Sequence, residues 1–84
     1  MSASDATARF LKAFGRAVRA RRESLELSQE DLGFRAKLHR TYVSDIERGA
    51  RNPTLRIILS LATALQTKPE KLVAAAQVIV DENR

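Results

Sequence analysis

Two short helical segments separated by a tight turn constrain the fold of this chain more than any other feature. In the first, Ser28 can cap a helix whose opening turn carries Glu30 and Asp31, where the helix dipole favours acidic groups. The second is predicted over residues 40–48, with His39 in the N-cap position and Lys37–Leu38 as the turn. Such a helix–turn–helix places its second helix in the DNA major groove, so DNA binding is the leading hypothesis.

Helical periodicity also dominates the rest of the chain. A first helix is predicted over residues 7–24, a fourth from the cap Thr54 to about residue 65, and a fifth beginning at Pro69, where proline suits the first helical position. The apolar stripes predicted to form the core of these three helices are Phe10, Phe14 and Val18, then Leu55, Ile58, Leu59, Ala62 and Leu65, and finally Leu72, Ala76 and Ile79, with Val73 and Val80 at the edge. In the third helix Val43 and Ile46 are expected to be buried, and Gly49 is expected to end it in a left-handed C-cap.

The chain length of 84 residues predicts a single domain over residues 1–84, and the five predicted helices make it an all-α domain. Its core spans about residues 7–82, and residues 1–6 are expected to be flexible. This leaves no room for a second domain or a ligand-sensing module, so no small-molecule ligand is expected. The absence of cysteine excludes disulfides and cysteine-based zinc sites, and favours the cytoplasm. We expect a soluble protein without a membrane segment, because neither a signal peptide nor a long apolar run is present.

The net charge of +5 is concentrated in the first two thirds of the sequence. Residues 9–56 contain twelve Lys/Arg and six Asp/Glu, whereas residues 57–84 contain three of each. This asymmetry fits a nucleic-acid face beside a neutral packing or assembly face, and it equally fits an ordinary solvated surface. The positions of the charges therefore have to decide between these interpretations.

Catalytic and metal chemistry find no support in the sequence. No nucleophile–base arrangement, phosphate-binding glycine loop or pair of carboxylates in a cleft can be assembled. His39 is the only histidine, and no nearby spacing supplies it with further metal ligands. We therefore expect no enzyme activity, no metal and no cofactor, and we predict that His39 caps the third helix or contacts a phosphate.

A longer pattern resembles the lambda repressor-like family of phage Cro and repressor proteins and their bacterial xenobiotic-response-element relatives. It comprises Gln29–Glu30–Asp31–Leu32, Tyr42–Val43–Ser44, Ile46–Glu47–Arg48–Gly49, Arg51 and Pro53–Thr54–Leu55. The resemblance covers residues 10–75. The string around Arg40, Thr41 and Tyr42 is especially similar to the controller proteins of restriction–modification systems.

This resemblance implies a homodimer that binds double-stranded DNA through the third helix of each subunit. Base reading is then expected from Arg40, which matches guanine, and from Thr41, Ser44 and Asp45. Contacts to the DNA backbone are expected from Gln29 (through its amide or its backbone N–H) and from Arg35, His39, Tyr42, Arg48, Arg51 and Asn52. Dimer contacts are predicted at three apolar residues beyond the main core stripes, namely Ile57, Leu61 and Val78; the alternative is that these residues close the edge of the core.

Several residues in this pattern have alternative roles. Asp45 could accept from a cytosine amine, repel phosphates in wrong registers, or pair with a neighbouring arginine, which we favour. Glu47 is predicted to be structural, paired with an arginine of the first helix or with Arg48. Lys37 stands where the family usually has glycine, at a cost of about 1 kcal/mol if its backbone is left-handed. Gly33 replaces a small alanine; it permits close helix approach but weakens its helix by about 1 kcal/mol.

The predicted function is sequence-specific transcription regulation at a two-fold symmetric operator, and the resemblance adds autoregulation. One alternative is the antitoxin of a toxin–antitoxin pair, which would hold a toxin with the neutral C-terminal third. Another is a protein-interaction adaptor that keeps the fold without binding DNA. RNA binding is disfavoured because one tyrosine and three phenylalanines do not form an exposed stacking platform.

Overall fold

Capping residues divide the chain into five α-helices in the computed structural model, which describes residues 3–83. The helices are α1 Ala3–Ser24, α2 Gln29–Ala36, α3 Arg40–Glu47, α4 Leu55–Ala64 and α5 Pro69–Glu82. No strand occurs within residues 3–83, so the predicted all-α architecture is confirmed. None of the helices in this range is long and apolar enough to cross a membrane.

Local hydrogen bonds start three of the helices at the predicted caps. The Ser28 hydroxyl accepts from the Asp31 N–H at 2.9 Å, and the Asp31 carboxylate accepts from the Ser28 N–H at 3.0 Å. This capping box lowers the pKa of Asp31, chiefly through the backbone hydrogen bond from Ser28. The His39 Nδ1 atom accepts from the Thr41 N–H at 3.1 Å, and the Thr54 hydroxyl accepts from the Ile57 N–H at 3.3 Å.

Helix α1 begins about one turn earlier than the predicted residue 7. Alanine-rich sequence favours helix there, and Asp5 in the first turn complements the helix dipole. Of the segment 1–6 that is expected to be flexible, residues 3–6 are helical and residues 1–2 lie outside the described residues. At the other helix ends, Lys37 has φ of 59° and Gly49 has φ of 76°, which confirms both expected left-handed positions.

The core lies between the five helices, where α1 also contacts α3 and α4 also contacts α5. Helix α1 packs along α5, while α2 packs against α3 and α4. The largest side chains with essentially no solvent exposure are Val18, Leu32, Val43, Ile46, Leu61 and Leu65. In α5 the predicted stripe is confirmed, because Leu72 and Ala76 are buried and Ile79 packs against the core.

The predicted core face of α4 is wrong in two positions. Leu55 is 85% exposed and Leu59 is 54% exposed, whereas Leu61 is fully buried. Leu61 therefore cannot contact a partner, and its prediction as a dimer-interface residue is wrong. The helix is apolar around most of its circumference, so several stripes are possible from periodicity alone, and packing against α2 and α5 selects the one containing Leu61 and Leu65.

Two close backbone approaches fix how α3 is seated. A Cβ atom on Gly15 of α1 would lie 2.3 Å from the Ile46 carbonyl oxygen at the end of α3. A Cβ atom on Gly33 would lie 2.6 Å from the Leu38 carbonyl oxygen in the turn. Glycine is therefore required at both positions for α1 and the turn to approach this closely, which confirms the predicted close approach at Gly33.

Candidate nucleic-acid interface

The N-terminal half of α3 presents its polar side chains away from the core. Val43 and Ile46 are buried, which orients the helix. Arg40 and Thr41 are exposed at its start, and Ser44, one turn further, is half-buried. An exposed arginine at the leading end of a helix buried along one side has the reach to enter a groove and donate to base edges.

A buried ionic network supports this helix from behind. The Arg22 guanidinium of α1 donates twice to the Glu47 carboxylate, through Nε at 2.7 Å and Nη2 at 3.0 Å. Its Nη1 atom donates to the Leu27 carbonyl at 2.7 Å. The hydrogen bonds to Glu47 raise the pKa of Arg22 further above its ordinary value. The prediction that Glu47 is structural and paired with an arginine of the first helix is confirmed, and Arg22 is that arginine.

Gln29 joins the same network from α2. Its Nε2 atom donates to Glu47 Oε1 at 3.0 Å, so the end of α3, the start of α2 and α1 meet at one carboxylate. Two groups of Gln29 are predicted to contact a phosphate, the side-chain amide and the backbone N–H. The hydrogen bond to Glu47 uses part of the side-chain amide. The backbone N–H lies at the start of α2 and has no partner within the helix. The contact itself stays a prediction.

Asp45 is the centre of a second, exposed cluster. One carboxylate oxygen accepts from Nη2 of Arg48, and the other accepts from Nε of Arg51 at 3.2 Å. These bonds lower the pKa of the Asp45 carboxyl, first through Arg48 and then through Arg51. The predicted pairing of Asp45 with a neighbouring arginine is thereby confirmed. Each carboxylate oxygen keeps a further lone pair, so the alternative in which Asp45 accepts from a cytosine amine stays a prediction.

Tyr42 connects this cluster to the core. Its ring packs against the buried residues, and the guanidinium of Arg51 lies over it, with Cζ 5.2 Å from the ring centroid. This geometry favours a cation–π interaction. Arg51 is therefore held on two sides, by Asp45 and by Tyr42, while 54% of its side chain remains exposed.

Three other predicted backbone-contact residues lie on α2, in the turn before α3 and in the loop after it. Arg35, His39 and Asn52 are exposed. Because His39 Nδ1 accepts a hydrogen bond, the ring proton of neutral His39 lies on Nε2, which is left as a donor. The capping role predicted for His39 is confirmed, and its contact with a phosphate stays a prediction.

Sequence reasoning did not predict that Asp45 joins two arginines. The Asp45–Arg48 pair has the i,i+3 spacing that brings side chains together on a helix. Arg51 lies beyond the end of α3, so helical spacing carries no information about its position. Among residues whose side chains the structure describes, no group of three or more potential ligands could hold a metal ion.

Comparison with known proteins identifies the family. A sequence profile with the description Helix-turn-helix matches residues 18–72. The Control protein C.BamHI of Bacillus amyloliquefaciens is 50% identical over 60 residues, covering 70% of this chain and 74% of that protein.

Solved structures agree with this result. The restriction-modification controller protein C.AhdI from Aeromonas hydrophila is 48% identical, with a TM-score of 0.73, covering 74% of this chain and 94% of that one. The controller protein C.Esp1396I, solved as a tetramer in complex with its natural 35 base-pair operator, is 25% identical with a TM-score of 0.76, covering 84% of this chain and 93% of that one. This chain belongs to the Cro/C1-type helix-turn-helix family of DNA-binding transcription regulators, in which restriction–modification controller proteins are its relatives.

Proposed function

We propose that this protein is a sequence-specific double-stranded DNA-binding regulator that acts as a homodimer on a two-fold symmetric operator. The observation that carries the proposal is the exposed start of α3, with Arg40 and Thr41 projecting from a helix that a buried network holds in place through Glu47. A rigid scaffold behind an exposed recognition end is what base reading requires, because small displacements would lose bidentate hydrogen bonds.

Within this proposal, base edges are read by Arg40, Thr41 and Ser44. Asp45, the fourth predicted base reader, is not included because its carboxylate pairs with Arg48 and Arg51. Arg40 donates to the O6 and N7 acceptors of a guanine, and Thr41 contacts a thymine methyl group or donates a hydrogen bond. The DNA backbone is contacted on either side of the groove by Gln29, Arg35, His39, Tyr42, Arg48, Arg51 and Asn52. These phosphate contacts set the orientation of the protein and make its affinity salt-dependent.

A homodimer requires an apolar surface on which the second copy can pack. Because Leu61 is buried, we now place this surface at other residues. Leu55 and Leu59 are exposed one turn apart on α4, directly after the loop that carries Arg51 and Asn52. Pairing through these leucines would bring two recognition helices near each other, and half-sites one helical turn apart require a spacing of about 34 Å. Val78, 53% exposed in a groove between α1 and α5, is the competing candidate, with Ile57 half-buried against the core.

The controller relatives favour a specific regulatory role. C.BamHI and C.AhdI bear the names of control proteins of restriction–modification systems, and C.Esp1396I binds its operator as a tetramer. By analogy, we propose that this chain acts in the cytoplasm as a non-catalytic, autoregulatory controller whose output depends on its own concentration and on operator occupancy. This part of the proposal rests on likeness to those proteins.

Selection of bound duplexes from a random pool tests the proposed function. We expect a palindromic sequence to emerge, and the selected duplex should outcompete random DNA by about 10³-fold or more. Binding that is uniform across sequences and disappears at higher salt, or no binding at all, would contradict the proposal. A small protein that copurifies tightly with the chain would then favour an antitoxin, and the absence of DNA binding without such a partner would favour an adaptor.

A further inference from the structure

Asp45 places a negative charge on the surface that the proposed function turns toward DNA. Such a charge opposes the approach of phosphates, so its presence requires a compensating role. We propose that Asp45 is a positioning residue that holds Arg48 and Arg51 in the orientations needed for one docking register, and thereby raises specificity at some expense in affinity. This proposal rests on the proposed function, because it describes how the same DNA-facing surface is organised.

The exposure of the three side chains supports this role. The Asp45 side chain is only 15% exposed, whereas those of Arg48 and Arg51 are 66% and 54% exposed. The Asp45 side chain is therefore the most covered of the three, and both arginine side chains stay largely open to solvent. Each arginine uses one nitrogen for Asp45, so its other N–H groups remain as donors for phosphate oxygens.

The arrangement also differs from an ordinary surface ion pair. An exposed pair leaves two flexible side chains to reorient in water, and it contributes little. Here one carboxylate of α3 joins Arg48, the C-cap of that helix, to Arg51 of the following loop, and the Tyr42 ring holds Arg51 on a second side. An aspartate is already ionised at neutral pH, and the hydrogen bonds from Arg48 and then Arg51 lower the pKa of Asp45 further.

The expected consequence is preorganisation. Arginine side chains lose rotamer freedom when they bind a phosphate, and that loss is smaller when they are already held in place. This smaller loss of rotamer freedom helps only in the docking register in which phosphates meet Arg48 and Arg51 as Asp45 holds them. In the same register Arg40 reaches its base. Complexes with unrelated sequences, which sample other registers, gain little from it.

The experiment compares affinity for the operator found by selection with affinity for a scrambled duplex of equal length. Asp45→Asn preserves the size of the side chain but removes the charge. We expect its affinity for scrambled DNA to be unchanged or higher, while the operator-to-scrambled ratio falls by about 10-fold or more, as for residues coupled in one network. Glu30→Gln is the matched control, because it removes an exposed carboxylate from α2; it should affect both duplexes equally and leave the ratio unchanged.

Two further variants separate the positioning of the arginines from the charge of Asp45 and from effects on the stability of the fold. Asp45→Glu retains the charge but displaces the carboxylate, so it should also lower the ratio. In an Arg48→Ala/Arg51→Ala background, Asp45→Asn should no longer change the ratio, because no arginine remains to be positioned. An unchanged ratio in Asp45→Asn, or the same loss in the double-alanine background, would overturn the positioning role. An unsubstituted chain with no operator preference would overturn the proposed function instead.

Discussion

At the scale of single residues, arginines with the same chemistry occupy very different environments. Arg22 is buried and paired twice with one carboxylate, Arg51 is half-exposed between Asp45 and a ring, and Arg40 is exposed. Their roles follow from these environments. The buried guanidinium of Arg22 maintains the fold, and we propose that the held one of Arg51 contacts phosphates and the exposed one of Arg40 reads bases.

The proposed division between base reading and backbone contact predicts different binding profiles for two alanine variants. Arg40→Ala should cost about 1–3 kcal/mol and relax the preference at one base position, because a bidentate contact to guanine is lost. Arg51→Ala should weaken binding to all sequences and reduce the salt slope by about one unit. Titrations against the operator and its single-base variants measure both effects, and a uniform loss in Arg40→Ala would contradict its role as a base reader.

The buried network predicts a large loss of stability when Arg22 is removed. The side chains of Arg22 and Glu47 are 10% and 4% exposed, so Arg22→Ala leaves a carboxylate buried with the Gln29 amide as its remaining partner. The free energy of unfolding should fall by about 3–5 kcal/mol. Arg19→Ala is the matched control, since it breaks an exposed pair with Glu23 and should cost less than about 1 kcal/mol. Urea unfolding curves distinguish the two; similar losses would contradict the account of Glu47.

At the scale of elements, local chemistry made the starts of α2, α3 and α4 predictable. Ser28, His39 and Thr54 form the predicted caps because each bond joins residues two or three positions apart. The face of α4 could not be predicted in the same way. Its apolar residues surround the axis, and only contacts with α2 and α5, which are distant in sequence, decide that Leu61 is inside and Leu55 outside.

The turn between α2 and α3 predicts a stabilising substitution. Lys37 adopts a left-handed backbone with φ of 59°, a conformation that costs a residue with a Cβ atom about 1 kcal/mol relative to glycine. Lys37→Gly should therefore raise the free energy of unfolding by about that amount, less the added entropy of the unfolded chain. Ala74→Gly, at an exposed position inside α5, should lower it by about 1 kcal/mol. Thermal unfolding measures both, and a destabilised Lys37→Gly would be inconsistent with strain at this turn.

At the scale of the whole molecule, charge and apolar surface suggest how two copies could share one operator. The sequence predicted the helix-turn-helix because its motif is continuous along the chain. It could not separate residues of an assembly surface from residues of the core, because both look the same in an amphipathic pattern. Leu61 shows this directly: its apolar side chain belongs to the core, while Leu55 and Leu59 remain outside.

The assembly surface can be identified by charge substitution. We expect Leu55→Asp to shift the protein from dimer to monomer in sedimentation equilibrium while leaving the monomer folded, because the Leu55 side chain is largely exposed. Val78→Asp tests the competing surface and should leave the dimer intact. The reverse pattern, with Val78→Asp producing monomers and Leu55→Asp not, would assign the interface to the groove between α1 and α5.

The most direct test of the central claim is a titration of the full chain against three duplexes of equal length: the selected palindrome, a single half-site and a scrambled sequence. If two copies read the operator through their third helices, the palindrome should bind two chains and exceed the scrambled duplex in affinity by about 10³-fold or more, with the half-site far weaker than the palindrome. Equal affinities for all three duplexes would contradict the claim, because the exposed helix would then contribute only charge.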